Sequence, residues 1–259
     1  MENVYIHGST DPREVARLEK QAKFCSAWWL PCVEIPAHAR VLDLGTGIGA
    51  MARELNARFP TAHITGVDRS TAQLQVARER HPVAQYTHAD AAQLPFESGS
   101  FDRVHASWLL EHVPDPLAVA REAHRVLAAG GVAYFLEVDN GTLRTEPDNA
   151  AIQELMSKLN AAQIAAGGDP FVGPKLQTMF KDAGFREVEV KALPRHGHAG
   201  DLPFFRAFAE EFAEIFESVD EAMPEHHALI LEACQAMRAL PEQRDAALFY
   251  TPIMVRAVR

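Results

Sequence analysis

The stretch VLDLGTGIGAM, residues 41–51, constrains this chain more than any other part of it. Its first residues are bulky, closely spaced and bounded by glycine, which predicts a buried strand. Three glycines then stand at alternate positions, Gly45, Gly47 and Gly49. The residues after them predict a helix. A tight turn without Cβ atoms that opens onto free helix N–H groups is typical of a cradle for a nucleotide-type cofactor.

The glycine spacing alone leaves two classes of cofactor open. Gly45-x-Gly47-x-x-Ala50 satisfies the dinucleotide fingerprint, in which the last position can be alanine, so an NAD-dependent oxidoreductase fits it. Asp43, however, stands two residues before the first glycine. A pyrophosphate would not favour a carboxylate aimed into its cradle, whereas a cationic ligand that carries an amine would.

Two further acids follow predicted strands. Asp68 closes the second strand, 23 residues after Gly45, where a carboxylate can accept both hydroxyls of a ribose. Asp90 follows the third strand, and its carboxylate together with the N–H of Ala91 matches the donor and acceptor edge of adenine. A dehydrogenase would not need this second acid, so Asp90 favours an adenosyl ligand of another kind.

The chain at this point resembles the class I S-adenosylmethionine-dependent methyltransferases, in particular the type 11 small-molecule enzymes. The resemblance is carried by DLGTGIG at 43–49, ADAAQLPF at 89–96 and FDRV at 101–104. It implies an α/β fold, a doubly wound, mostly parallel seven-strand sheet of the Rossmann-like methyltransferase kind. It also implies methyl transfer from S-adenosylmethionine to an oxygen, nitrogen or carbon of a small, largely apolar acceptor, such as a quinone-type molecule or a natural product.

Besides the three glycines, the two acids and Ala91, further residues are expected to bind the cofactor, and these are Tyr5, Gln21, Asp43, Arg69, Ser107 and Trp108. Tyr5, Arg17 and Gln21 belong to an N-terminal segment that can cover the cofactor mouth. Arg17 and Gln21 could equally be the solvated face of a helix. Trp108 could place its ring near a sulfonium or serve as a core anchor.

His112 is the candidate catalytic residue, because its loop follows the fourth strand and an imidazole titrates in the range suited to a general base. A hydrogen-bonded structural role in a turn is the alternative. Glu137 and Asp139 follow the fifth strand and are further candidates for proton removal.

The domain organisation expected from these patterns is a helical cap over residues 1–38 and a methyltransferase domain over residues 39–259. A helical insert at about 195–247 is expected before a last strand at 248–258. The wide apolar face of the insert could pack on the domain, form a lid with an apolar acceptor pocket, or make the contact of a homodimer.

The composition limits the kinds of partner that the protein is expected to bind. A net charge of −10 without a local Lys/Arg cluster disfavours nucleic acid. No apolar run approaches a membrane span and no signal peptide is recognisable, so a cytoplasmic protein is expected. Three cysteines without a CxxC pair argue against disulfides, and the twelve histidines lack metal-ligand spacing, so no metal is expected. A non-methylating protein on the same scaffold is a second rival.

Overall fold

A computed structural model describes residues 10–259 of the chain. The chain divides into two compact units. The sheet unit comprises residues 10–137, Val172–Lys191 and Ile253–Arg259, and the helical unit comprises Val138–Phe171 and Ala192–Pro252.

Helix α1 of the sheet unit spans Pro12–Trp29. It begins where the sequence predicts, because Asp11 accepts hydrogen bonds from two backbone N–H groups of the first turn at 2.8 and 3.1 Å. Val15 and Ala22 on one face of α1 pack in an apolar cluster with Ile48. The helix therefore lies against the segment that contains the glycines.

Five parallel strands form the centre of the sheet unit. They are β1 (Arg40–Leu44), β2 (His63–Asp68), β3 (Gln85–His88), β4 (Phe101–Ser107) and β5 (Leu127–Glu137). The helices between them are α2 (Ala50–Arg58), α3 (Thr71–Arg80) and α4 (Pro116–Val126). Ser70 caps α3 by accepting from Gln73 N at 3.2 Å, as its position predicts.

The sheet is completed by β7 (Arg186–Ala192) after α6 (Leu176–Asp182), and by β10 (Ile253–Val258), which is antiparallel to β5. Its strand order is β3-β2-β1-β4-β5-β10-β7. This confirms the predicted seven-strand, mostly parallel, doubly wound sheet. The order reverses between β1 and β4, and ligands of such sheets bind beyond the carboxyl ends of the strands at this reversal.

The helical unit contains three helices and a second sheet. Its elements are β6 (Arg144–Glu146), α5 (Ala150–Ala165), β8 (Arg195–His198), α7 (Leu202–Glu217), α8 (His227–Ala239) and β9 (Ala247–Tyr250), with strand order β6-β9-β8. Four phenylalanines of α7 are at most 6% exposed, namely Phe205, Phe208, Phe212 and Phe216. The apolar face predicted for the insert is thus buried, and Phe212 makes a ring contact with Tyr250 inside this unit.

The prediction of one last strand over 248–258 is wrong. β9 ends at Tyr250 and β10 begins at Ile253, and the two strands belong to different sheets. Pro252 stands between them, and proline has no N–H to donate to a ladder. The short strands β6 and β8 were not predicted. Among the described helices, none combines the length and the apolar character that crossing a membrane requires.

Candidate functional site

The glycine hairpin, residues 45–49, connects β1 to α2. All three of its glycines have positive φ angles of 67°, 53° and 77°. A Cβ at Gly45 would lie 2.9 Å from Cδ1 of Leu109, and one at Gly49 would lie 2.5 Å from the hydroxyl of Tyr86. Side chains at these positions would therefore be strained and would collide with their neighbours. The hairpin keeps the free N–H groups at the start of α2 accessible to a ligand.

Asp68 at the end of β2 is tied to the hairpin. Its Oδ2 accepts a hydrogen bond from Gly47 N at 2.9 Å, and its Oδ1 accepts from Ser70 N at 2.8 Å. Burial raises the pKa of Asp68 above its usual value, although these hydrogen bonds favour the charged form. Each oxygen of an ionised carboxylate can accept a further hydrogen bond, so Asp68 can receive two ligand hydroxyls.

Asp90 lies at the neighbouring strand tip. Asp68 stands opposite His88 in the β2–β3 register, and Asp90 follows two residues later. Asp90 is exposed, and its Oδ1 accepts from Ala92 N at 2.8 Å while its backbone carbonyl accepts from Gln93 N at 3.0 Å. This turn holds the carboxylate in a defined orientation at the same edge of the sheet as the hairpin.

Asp43 lies beneath the hairpin and is only 2% exposed. Its Oδ2 accepts from the Thr46 hydroxyl at 2.7 Å, and its Oδ1 is 2.8 Å from Nδ1 of His105. Both carboxylate oxygens are therefore engaged by side chains of the protein. The sequence prediction placed the charge of Asp43 toward the ligand, and the geometry instead directs it at Thr46 and His105.

Two polar residues of this region were missed in the sequence. His105 is 1% exposed, and its Nε2 accepts from the indole N–H of Trp29 at 3.0 Å. A signal for His105 existed in the sequence, because it stands between the apolar residues Val104 and Ala106. Its pairing with Asp43 is visible only in the β1–β4 register of the structure. Trp29 gave no such signal, since an apolar position of α1 already explained it.

Ser107 is the last residue of β4, and Trp108 begins the loop that follows it. Trp108 has a φ of 52°, which is unusual for a bulky residue, and its N–H donates to the Leu136 carbonyl at 2.8 Å. Its ring meets that of Trp28 edge to face, with 6.5 Å between centroids. Ser107 Oγ lies 3.3 Å from Nε2 of His105. The loop is thus held in a strained conformation next to the hairpin.

The remaining predicted contacts lie on α1 and after β2. Gln21 is half-buried, and Arg69 is exposed, with its carbonyl accepting from His88 Nε2 at 3.0 Å. The alternative that Arg17 belongs to a solvated face is wrong, because Arg17 is 8% exposed and forms a two-point ion pair with Glu14 at 2.7 and 2.8 Å. Tyr5 lies outside the described residues.

His112 ends a 3-10 turn after Trp108. Its Nε2 lies 3.5 Å from Oε1 of Glu111, and its side chain is 19% exposed. Burial lowers the pKa of His112, and the nearby positive charge of Arg69 lowers it further, against the opposing effect of Glu111. At neutral pH the imidazole is therefore uncharged, which is the form that can accept a proton.

Glu137 at the end of β5 supports the same loop. Its Oε1 accepts from Leu110 N at 2.9 Å and from Leu109 N at 3.2 Å. Its Oε2 is buried and has no hydrogen-bond partner among the described residues. Burial, reinforced by the charge of Glu111, raises the pKa of Glu137 to about 8. Asp139 belongs to the helical unit, where it accepts from Gly141 N at 3.3 Å and caps a 3-10 turn.

No group of three or more His, Cys, Asp or Glu side chains in residues 10–259 is placed to hold a metal ion. His196 and His198 of β8 lie close together, with ring centroids 4.6 Å apart, and His196 stacks on Phe249.

Comparisons with known proteins identify the family. A family model described as a methyltransferase domain matches residues 42–135. Demethylmenaquinone methyltransferase of Staphylococcus aureus is 32% identical over an alignment of 170 positions that covers 60% of this chain and 70% of that protein. The chain belongs to the S-adenosylmethionine-dependent methyltransferases. The NAD-dependent oxidoreductase that the glycine spacing left open is not favoured, because the matching family and relatives are methyltransferases.

Solved structures show that the fold of this methyltransferase is shared. The YcgJ protein of Bacillus subtilis superposes with a TM-score of 0.56 at 19% identity, over 92% of this chain and 98% of that one. Phosphoethanolamine N-methyltransferase 2 of Haemonchus contortus in complex with S-adenosylmethionine superposes with a TM-score of 0.56 at 20% identity, over 95% of this chain and 52% of that one. The methyltransferase is an enzyme that uses S-adenosylmethionine to methylate a small molecule.

Proposed function

We propose that this methyltransferase acts on a largely apolar, quinone-type acceptor, and that its cofactor lies across the glycine hairpin between Asp68 and Asp90. The observation that carries the cofactor site is the arrangement of these two acids at neighbouring strand tips beside the hairpin. In this proposal Asp68 binds the ribose and Asp90 binds the adenine.

The residues present fit the chemistry of S-adenosylmethionine. The ionised Asp68 can accept the two ribose hydroxyls while Gly47 N and Ser70 N keep it oriented. Asp90 and the N–H of Ala91 form the proposed adenine edge. A Cβ at Gly45 would collide with Leu109 and one at Gly49 with Tyr86, so the fold requires glycine at these two positions of the hairpin.

Further proposed cofactor contacts come from the surroundings of the hairpin. They are Gln21, Arg69, Ser107 and Trp108 of the described residues and Tyr5, which lies outside them. The ring of Trp108 can gain about 0.5–2 kcal/mol from a cation over its face. Asp43 contributes through Thr46 and His105 and by its negative charge beneath the hairpin, rather than by direct contact with the ligand.

The bound cofactor supplies an electrophilic methyl group on a positively charged sulfur. The protein would orient the acceptor toward that group, and well-oriented reactants can gain about 7–11 kcal/mol from alignment alone. The uncharged imidazole of His112 takes the proton that the acceptor loses. Glu137 is protonated at neutral pH and holds the loop that carries His112 through the N–H groups of Leu109 and Leu110.

The proposal of a quinone-type acceptor is supported by the relative that carries the name demethylmenaquinone methyltransferase. A phenolic or quinol acceptor is acidic enough to need only a weak base such as imidazole. The net charge of −10 disfavours nucleic acid as the acceptor. Three free cysteines support a reducing, cytoplasmic location.

A direct test offers the purified enzyme a demethylated naphthoquinol, a simple phenol and phosphoethanolamine, and measures the release of S-adenosylhomocysteine. We expect turnover with the naphthoquinol and, more slowly, with the phenol, and a methylated product by mass spectrometry. Turnover confined to phosphoethanolamine would contradict the quinone-type acceptor. His112→Gln should reduce the quinol turnover without weakening cofactor binding.

A further inference from the structure

A continuous chain of hydrogen bonds runs beneath the glycine hairpin, and its members are Trp29, His105, Asp43 and Thr46. Their residues are 0%, 1%, 2% and 6% exposed, respectively. The successive distances are 3.0 Å from Trp29 Nε1 to His105 Nε2, 2.8 Å from His105 Nδ1 to Asp43 Oδ1, and 2.7 Å from Thr46 Oγ1 to Asp43 Oδ2. This chain, called here the Trp29–Thr46 relay, joins the last residue of α1 to the hairpin.

The direction of each hydrogen bond follows from the first donor. An indole N–H can only donate, so Nε2 of His105 is an acceptor and carries no proton. The imidazole proton is therefore on Nδ1, where it donates to Asp43. The hydroxyl of Thr46 donates to the other oxygen of the same carboxylate. Asp43 thus accepts two hydrogen bonds, one on each carboxylate oxygen.

Thr46 transmits the orientation of Asp43 to the hairpin. Its backbone N–H donates to the Val67 carbonyl at 3.0 Å, and its own carbonyl accepts from Gly49 N at 2.8 Å. The side chain and both backbone groups of Thr46 are therefore engaged. A change in the orientation of Asp43 would alter the position of Thr46 and the conformation of residues 45–49.

We propose that Trp29 and His105 are positioning residues for the cofactor and couple α1 to the glycine hairpin through Asp43. This inference rests on the proposed cofactor site. The N–H of Trp29 orients the His105 ring so that its Nδ1 proton points at Asp43, and Asp43 then holds the hairpin in its ligand-binding conformation. Because such coupling is reciprocal, bound cofactor in turn stabilises the packing of α1 against the hairpin.

Packing alone would give a different result on substitution. Trp29→Phe removes the N–H while it keeps an aromatic ring at a buried position beside His105, where the centroids are now 5.8 Å apart. A purely structural Trp29 would lower the free energy of unfolding in this variant without affecting the affinity for the cofactor. The relay predicts that the variant binds the cofactor more weakly.

The experiment combines ¹⁵N-histidine NMR at pH 7.5 with calorimetric titration of S-adenosylhomocysteine. The His105 signals are assigned by their loss in His105→Asn. Wild type should show His105 protonated on Nδ1. In Trp29→Phe the proton should stay on Nδ1 beside Asp43, while the Nε2 resonance should move because it loses the indole donor. Trp29→Phe should bind about five-fold more weakly, which corresponds to the roughly 1 kcal/mol of one hydrogen bond. The double variant should bind no more weakly than His105→Asn alone.

Two control variants make the outcomes distinguishable. Val255→Ala removes buried volume from β10 and should leave affinity and tautomer unchanged. An Nε2-protonated His105 in wild type, unchanged affinity in Trp29→Phe, or an equal loss in Val255→Ala would overturn the relay. Asp68→Ala tests the site itself. If Asp68→Ala loses affinity and Trp29→Phe does not, only the relay is wrong, whereas unchanged affinity in Asp68→Ala would remove the proposed cofactor site.

Discussion

Oδ2 of Asp68 accepts a hydrogen bond from the backbone N–H of Gly47 at 2.9 Å. This contact joins the tip of β2 to the turn after β1. Asp68, which we propose binds the ribose, and the glycine hairpin therefore stabilise each other's positions. Oδ1 is oriented in the same way by Ser70 N at 2.8 Å. The carboxylate is therefore ordered before any ligand arrives, which lowers the entropy cost of binding.

Asp90→Ala should weaken the binding of S-adenosylhomocysteine by about 1.5–3 kcal/mol, the range for a lost hydrogen bond to a charged group. Calorimetric titration measures the change. The matched control is Asp102→Ala at the start of β4, where Asp102 pairs with Arg40. Asp102→Ala should bind as wild type does. Equal affinity in wild type and Asp90→Ala would show that Asp90 is an ordinary loop residue.

The affinity for S-adenosylhomocysteine should fall as the pH is lowered through the pKa of Asp68. Burial raises that pKa above its usual value of 3.8, and only the ionised carboxylate accepts both ribose hydroxyls without donating a proton. Calorimetric titrations between pH 7.5 and pH 4.5 measure this loss of affinity in wild type and in Asp68→Asn. The decline should be smaller in Asp68→Asn, and parallel declines would assign the effect to another group.

Glu137→Gln should change how stability depends on pH. The pKa of Glu137 is raised from 4.5 to about 8 in the folded protein, so its stabilising contribution is complete below pH 4.5 and is lost as the pH rises toward 8. Glutamine cannot ionise, but its carbonyl can still accept from Leu110 N. The free energy of unfolding of wild type relative to Glu137→Gln should therefore decrease by up to about 1.4 kcal/mol per pH unit in this window.

Urea unfolding at pH 5, 6, 7 and 8 measures that difference. Glu137→Ala is the companion variant, because it removes the acceptor for the N–H groups of Leu109 and Leu110 and should destabilise the protein at every pH. A difference between wild type and Glu137→Gln that stays constant from pH 5 to pH 8 would contradict the raised pKa.

His112→Gln should lower kcat by about 10²–10⁴-fold, the usual contribution of a general base, and leave the affinity for S-adenosylhomocysteine unchanged. Burial lowers the pKa of His112, so the wild-type rate should fall on the acid side only below the ordinary imidazole pKa of 6.5. A pH–rate profile with the identified acceptor measures this fall of the rate at acid pH. If His112→Gln keeps both the acid-side fall and normal turnover, His112 is a structural residue.

Most of the fold was predictable because its signals are local. The cap at Asp11 and the capping residue Ser70 each start a helix where the sequence indicates. The break at Pro252 was not predicted, because the apolar residues on both sides match the pattern of a single strand. In the structure the strands that they pair with belong to two different sheets. Pairing partners are set by tertiary contacts, which periodicity does not report.

The candidate site was predictable in its backbone and its acids, and less so in its hydrogen bonds. Asp68 and Asp90 lie at neighbouring strand tips, as their positions after β2 and β3 imply. The engagement of Asp43 by His105 was not foreseen, because it depends on the β1–β4 register. Trp29 reaches His105 only through the placement of α1, and a single residue at an apolar helix position gives no sign of that hydrogen bond.

The most direct test of the proposed contact between Asp68 and the ribose combines Asp68→Ala with a modified ligand. S-Adenosylhomocysteine and its 2′-deoxy analogue are titrated calorimetrically into wild type and Asp68→Ala, so that the variant and the missing hydroxyl form a double-mutant cycle. If Asp68 binds the ribose, loss of the hydroxyl should weaken binding to wild type and have little effect on Asp68→Ala, with a coupling energy of about 1 kcal/mol or more. Equal losses in both proteins would show that Asp68 does not hold the ribose.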